Sequence, residues 1–200
     1  MFVCPVSDKN CPPNCTCIKS PSNFTFSVSC IPRTLDRLPK QLPDPDNPPP
    51  RTGKFQLIFS GSNIQTLEFR QYLDLNKTKW IDVSKSKIHS VPDAVWRVLS
   101  RVDYVDLSEN QLTVLPKFLG SENITFRSLS LHDNPLRCTC EDKWIRGWLK
   151  SLGKGLVTPC IRYPQAVCSS PDWLKQRNVL ELTDDEFCIN PYEKLIVEVR

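Results

Sequence analysis

From residue 54 onward the apolar positions of this chain recur at a fixed spacing. Residues 126–136 (FRSLSLHDNPL) and 102–112 (VDYVDLSENQL) share one pattern: an apolar residue, two free positions, an alternating apolar pair, then an asparagine and a last apolar residue. The segments 78–88 (TKWIDVSKSKI) and 54–64 (KFQLIFSGSNI) carry it in the same phase. The second residue of the alternating pair falls at Phe59, Val83, Leu107 and Leu131, each 24 residues after the last. Ile88-x-x-Val91-Pro92 and Leu112-x-x-Leu115-Pro116 recur in register between repeats. Self-similarity at such a period predicts stacked coils that bury one continuous core.

Alternation places Ile81 with Val83, and Val105 with Leu107, on the inward face of short strands. Stacking then yields a parallel sheet on the concave side and a looser convex side. Asn110 and Asn134 follow each strand, where a buried side-chain amide satisfies backbone groups of the neighbouring coil. Ser62 and Ser86 stand at that position in the first two repeats, so those coils are expected to be less regular. A degenerate fifth coil precedes them: Phe26, Val28 and Cys30 alternate, and Leu35-x-x-Leu38-Pro39 matches the later Pro-terminated motif. From Cys30 to Phe59 the distance is 29, and the surplus lies in the proline-rich stretch 43–50, read as a solvated insertion ahead of a ligand-contacting loop.

Ten cysteines sharpen the picture, because the 107 residues between Cys30 and Cys138 contain none. Cys4, Cys11, Cys15, Cys17 and Cys30 lie at one end, and Cys138, Cys140, Cys160, Cys168 and Cys188 at the other. Clusters confined to the ends suit stapled covers over the exposed ends of a solenoid core. The Cys-x-Cys spacing differs from the Cys-x2-Cys pairs of common zinc sites, which favours disulfides and an oxidising compartment. Asn-x-Ser/Thr sequons at Asn23, Asn76 and Asn123 agree with a secretory route; Asn14 is a weaker fourth, with Cys15 in its middle position. No apolar leader and no run of eighteen apolar residues is visible, so a secreted chain is expected to be a piece of a longer precursor, with any membrane anchor outside it. The net charge of +4 is spread among interleaved acids and bases, giving nucleic-acid binding little support.

The repeat, with Cys-x3-Cys-x-Cys-x12-Cys over 11–30 and Asn134-Pro135-Leu136-Arg137-Cys138-Thr139-Cys140 after it, resembles extracellular leucine-rich-repeat proteins with cysteine caps at both ends. The resemblance implies an α/β solenoid: a short horseshoe with a parallel concave sheet and disulfide-bonded caps. It also implies the pairs Cys11–Cys17, Cys15–Cys30, Cys138–Cys168 and Cys140–Cys188. In the second cap, Trp144, Ile145, Trp148 and Leu149 share a helical face expected to lie over the last coil, with Glu141 and Asp142 read as its acidic first turn. Thr183-Asp184-Asp185-Glu186 reads as a capping box opening a last short helix. Cys4 and Cys160 are left over: they pair with each other, pair with a segment outside the chain, or stay free. Phe2-Val3-Cys4-Pro5 resembles the close of a preceding cap (compare Phe187-Cys188), which favours an upstream partner for Cys4. The expected division is 1–10 as the end of a preceding cap or a linker, 11–53 as the first cap with its insertion, 54–136 as repeats, 137–188 as the second cap and 189–200 as a stem or the start of a next segment.

A cap ending, a new first cap, few repeats and a further second cap together resemble the membrane-proximal ectodomain of invertebrate Toll receptors. The segment Val179–Cys188 adds to that likeness. By resemblance the parent is a single-pass receptor for a cystine-knot cytokine or a microbial product, and this module serves ligand recognition or receptor dimerisation. Departures are Cys160, the proline-rich insertion and the lack of a membrane-spanning or cytoplasmic signalling segment. The tail 195–200 leads into a stem or an immunoglobulin strand, the latter resembling neurotrophin-receptor ectodomains. Secreted matrix and antigen-binding leucine-rich-repeat proteins are the alternatives. Small matrix proteoglycans differ in a shorter last interval of the first cap and two cysteines at the C-terminal end.

If the concave face binds protein, its outward positions are Lys79, Trp80, Asp82 and Lys85 in one coil, Asp103, Tyr104, Asp106 and Glu109 in the next, and Arg127, Ser130, His132 and Asp133 in the third. Trp80 beside Tyr104 would make a hot-spot pair; the competing reading is a solvated surface with incidental aromatics. Catalysis has little support: His89 and His132 lack a nucleophile or ligand partner at motif spacing, and six glycines include no phosphate loop. No cofactor and no metal is expected.

Overall fold

The computed structural model describes residues 11–20, 25–43, 54–70, 73, 77–152 and 166–189. Cys4, Cys160, Asn23, Asn76, the insertion from 44 on and the tail 195–200 lie outside the described residues.

Six strands form one sheet in chain order: β1 (Cys15–Lys19), β2 (Thr25–Cys30), β3 (Lys54–Ile58), β4 (Thr78–Asp82), β5 (Tyr104–Asp106) and β6 (Leu129–Ser130). β1 runs antiparallel to β2, and every later neighbour pairs in parallel. One strand per coil, each beside the next, is what the 24-residue period demands. Phe59, Val83, Leu107 and Leu131 are all fully buried, as are Ile81 and Val105. The degenerate coil belongs to the same stack: Phe26 and Val28 are buried, and the Phe26 ring meets Phe55 edge-on at 6.0 Å.

The stack is irregular where the asparagines are missing. Phe55 pairs with Thr78, but Gln56 pairs with Trp80, so Lys79 is the extra residue of a bulge in β4. Phe55, rather than the aligned Lys54, therefore fills the slot that Thr78, Val102 and Phe126 fill in later coils. Backbone amides bridge each turn to the next coil, Gly61 N to Ser84 O at 2.8 Å, Lys85 N to Ser108 O at 3.0 Å and Glu109 N to His132 O at 2.9 Å. Gly61, Lys85, Glu109 and Asp133, spaced at the period, adopt left-handed φ values of 71°, 54°, 52° and 55°. Three non-glycine residues held there show how strongly stacking dictates the turn.

Asn110 joins coils with both ends of its amide. Its Nδ2 donates to the carbonyls of Val83 (3.0 Å) and Leu107 (3.0 Å), and its Oδ1 accepts from the Ile88 amide at 3.0 Å. Asn134 repeats this on Leu107, Leu131 and Leu112. Serine has less to offer: Ser86 Oγ accepts from the Ser62 amide at 3.1 Å and donates to Ser84 O within its own coil.

The convex side carries α1 (Asp93–Leu99) and α2 (Phe118–Ser121). The second cap adds β7 (Leu136–Arg137), a 3-10 turn (Cys140–Asp142), α3 (Trp144–Leu152), β8 (Cys168–Ser170), a second 3-10 turn (Asp172–Leu174) and α4 (Asp184–Cys188). Ile145, Trp148 and Leu149 are buried under α3 and Trp144 is partly so. Trp148 Nε1 donates to Ile124 O at 2.8 Å, and Phe126 meets both Trp96 and Trp148 edge-on. The acidic first turn expected for α3 is not there. Glu141 and Asp142 belong to the preceding 3-10 turn, where buried Asp142 Oδ2 accepts from the Thr139 amide (3.1 Å) and hydroxyl (2.6 Å) and from Arg137 Nε (3.2 Å). Those bonds recruit the carboxylate into a turn before the helix opens. In α4 the Thr183 amide donates to Glu186 Oε2 at 2.7 Å and the Glu186 amide returns a bond to Thr183 Oγ1 at 3.3 Å, a capping box.

Among the described residues, four disulfides tie the ends: Cys11–Cys17 and Cys15–Cys30 in the first cap, Cys138–Cys168 and Cys140–Cys188 in the second. Cys138–Cys168 also links the segments of β7 and β8, where Leu136 pairs with Cys168.

Candidate functional site

A parallel sheet in register sets like positions of successive coils side by side, about 4.8 Å apart. Trp80 therefore pairs with Tyr104, and Asp82 with Asp106. The Trp80 and Tyr104 rings stack at a centroid distance of 3.7 Å and an interplanar angle of 21°. Both are half-buried, in the middle of the concave sheet. Stacking of this kind adds about 0.5–1.5 kcal/mol beyond area burial and fixes the rings in one posture.

Beside the rings stand two carboxylates held alike. Asp82 Oδ1 accepts from the Ser84 amide (2.9 Å) and hydroxyl (2.7 Å), and Asp106 Oδ1 from the Ser108 amide (2.9 Å) and hydroxyl (2.6 Å). Tyr104 donates its hydroxyl to Asp106 Oδ2 at 3.2 Å. Burial pushes the Tyr104 hydroxyl above the usual tyrosine range; the charges of Asp106 and Asp82 add to this, and a bond with the Ser130 hydroxyl opposes it.

The remaining outward positions flank this centre. Lys85 lies 3.5 Å from Glu109, and Arg127 lies 3.2 Å from Asp103. These exposed pairs contribute little stability, on the order of 0–1 kcal/mol. Lys79 is exposed at the bulge, Asp133 is exposed, and His132 and Ser130 are half-buried. The same rows continue toward the first cap at positions that the sequence reading passed over: Gln56 beside Trp80, Ile58 beside Asp82, then Ser27 and Ser29. Their alternation with Phe26, Val28, Phe55 and Leu57 was the available signal.

Asn14 and Asn123 are both exposed, at φ values of 61° and 50°, and Asn123 follows α2 on the convex side. Among the described residues no group of three or more His, Cys, Asp or Glu is placed to hold a metal ion, and no helix is long and apolar enough to cross a membrane.

No protein-family model matches the chain. Mouse chondroadherin is 27% identical over 126 residues, covering 63% of this chain and 31% of its own length. Mouse SLIT and NTRK-like protein 6 is 33% identical over 85 residues, 42% of this chain and 10% of that protein. The chain thus spans only about a third of the first relative and a tenth of the second. A chain in the structure of the Drosophila Toll–Spatzle complex superposes with a TM-score of 0.72 at 18% identity, covering 94% of this chain and 23% of that one. The chain is a cysteine-capped leucine-rich-repeat solenoid. At that identity the Toll likeness is one of fold. None of the relatives named here carries an enzyme's name, and the solenoid is a protein-binding fold. Its disulfides and its relatives place it outside the cell or in secretion.

Proposed function

We propose that the solenoid is the protein-binding module of a cell-surface receptor ectodomain, engaging its partner through the concave sheet. The observation that carries this reading is the half-exposed Trp80–Tyr104 stack in the middle of that sheet. Fixed aromatic side chains of this kind lose little entropy on contact and dominate protein interfaces. The Toll–Spatzle structure is described as a hub in development and innate immunity, which supports the same setting here. In it the solenoid contributes ligand recognition or receptor dimerisation; a cystine-knot cytokine or a second copy of the receptor is the partner class, and anchoring comes from segments outside this chain. The likeness to chondroadherin favours a second reading, a secreted binding protein with the same face.

Photo-crosslinking tests it. A crosslinker at Lys79, on the concave sheet, should yield covalent protein adducts on cells expressing the parent receptor. One at Ala94, in convex α1, should not. Adducts from position 94 alone, or from neither, contradict the proposal.

A further inference from the structure

We propose that the Trp80–Tyr104 pair receives a basic side chain, an arginine or a lysine, from a protein partner, with its charge held by Asp82 and Asp106. This rests on the concave-face reading and adds the partner's chemistry.

Charge supports it first. The chain is net positive at +4, yet the outward strand and turn positions from 79 to 133 carry five acids against three bases. Those bases are largely engaged: Lys85 pairs with Glu109 and Arg127 with Asp103. Among the described residues, no ion pair includes Asp82 or Asp106. The two carboxylates nearest the aromatic pair thus have no cationic partner among the described residues. An arriving cation would meet complementary potential.

Aromatic chemistry points the same way. A guanidinium or ammonium against Trp or Tyr gains cation–π attraction, and arginine's planar head also suits a carboxylate edge. The carboxylates are already oriented by Ser84 and Ser108, so little ordering remains on binding. Burial does most to raise the Tyr104 hydroxyl, and the charges of Asp106 and Asp82 beside the ring add to it.

The test uses the full disulfide-bonded chain and NMR of the Trp80 indole and Tyr104 ring. Blocked glycine-flanked peptides bearing arginine, its neutral isostere citrulline, or glutamate are titrated in turn. The arginine peptide should shift these signals saturably, at least about fivefold more tightly than citrulline, with glutamate inert. Asp82→Asn with Asp106→Asn keeps acceptors for the serines and should abolish that preference while the spectrum stays dispersed. Citrulline equal to arginine, binding of glutamate, a preference that survives the double substitution, or no shift at millimolar peptide overturns the proposal. Should crosslinking from Lys79 succeed while the peptides fail to discriminate, only the basic-residue inference falls. Failure at Lys79 removes the face itself.

Discussion

Gly120 lies against the indole of Trp144: a Cβ built at position 120 would meet Trp144 Cε3 at 2.7 Å and Cζ3 at 3.3 Å. The two residues are one 24-residue period apart, so α3 of the second cap occupies the place of the next coil's convex segment. Two effects compete in Gly120→Ala. Helix propensity favours alanine by up to about 1 kcal/mol, whereas overpacking costs about 1–3 kcal/mol. Overpacking should win, leaving a net loss of about 1 kcal/mol in urea melts. In a Trp144→Leu background the same substitution should become neutral or stabilising.

Asn110→Ala should destabilise more than Ser86→Ala. The asparagine serves buried carbonyls in two coils and one buried amide; truncation orphans the Val83 carbonyl and the Ile88 amide at about 1–3 kcal/mol each, while the Leu107 carbonyl keeps its bond from Asn134. Ser86 accepts one amide across coils, so its loss is expected near the lower end of that range. Denaturant midpoints of the two variants give the comparison, and equal midpoints would deny the asparagine its bridging role.

Leu107→Asp should prevent cooperative folding, because the fully buried position offers a carboxylate no cation. Circular dichroism on heating reads this directly. A melt matching the parent would show that the repeat register is wrong.

Tyr104 should ionise above the ordinary tyrosine value, read as the difference in absorbance titration between the parent and Tyr104→Phe. Burial is the leading cause, so Asp106→Asn should bring it only partway down. The folded state prefers the neutral phenol, so its contribution to stability is complete below the ordinary tyrosine value and is lost as pH rises through the folded one. Titration of Tyr104 at the ordinary tyrosine value would contradict the half-buried, acid-flanked setting.

The core was legible because burial repeats with the period: Phe59, Val83, Leu107 and Leu131 could be read by counting. So could the adjacency of Trp80 and Tyr104, since in-register strands convert a 24-residue interval into neighbours. The alignment sets Lys54 level with Thr78, but a bulge at Lys79 shifts that strand start by a single residue and leaves every later core position in phase. Asp142 was misassigned to a helix because its capture by Thr139 and Arg137 is a side-chain event that spacing does not encode. The tight fit of Gly120 under Trp144 was equally invisible, since it depends on how the cap docks.

The most direct measurement is the affinity of the parent ectodomain for its protein partner after Trp80→Ala with Tyr104→Ala, alongside the melting curve. The account predicts weakening by at least about thirtyfold, as for hot-spot aromatics, with cooperative melting retained. Unchanged affinity in a folded double variant would contradict it.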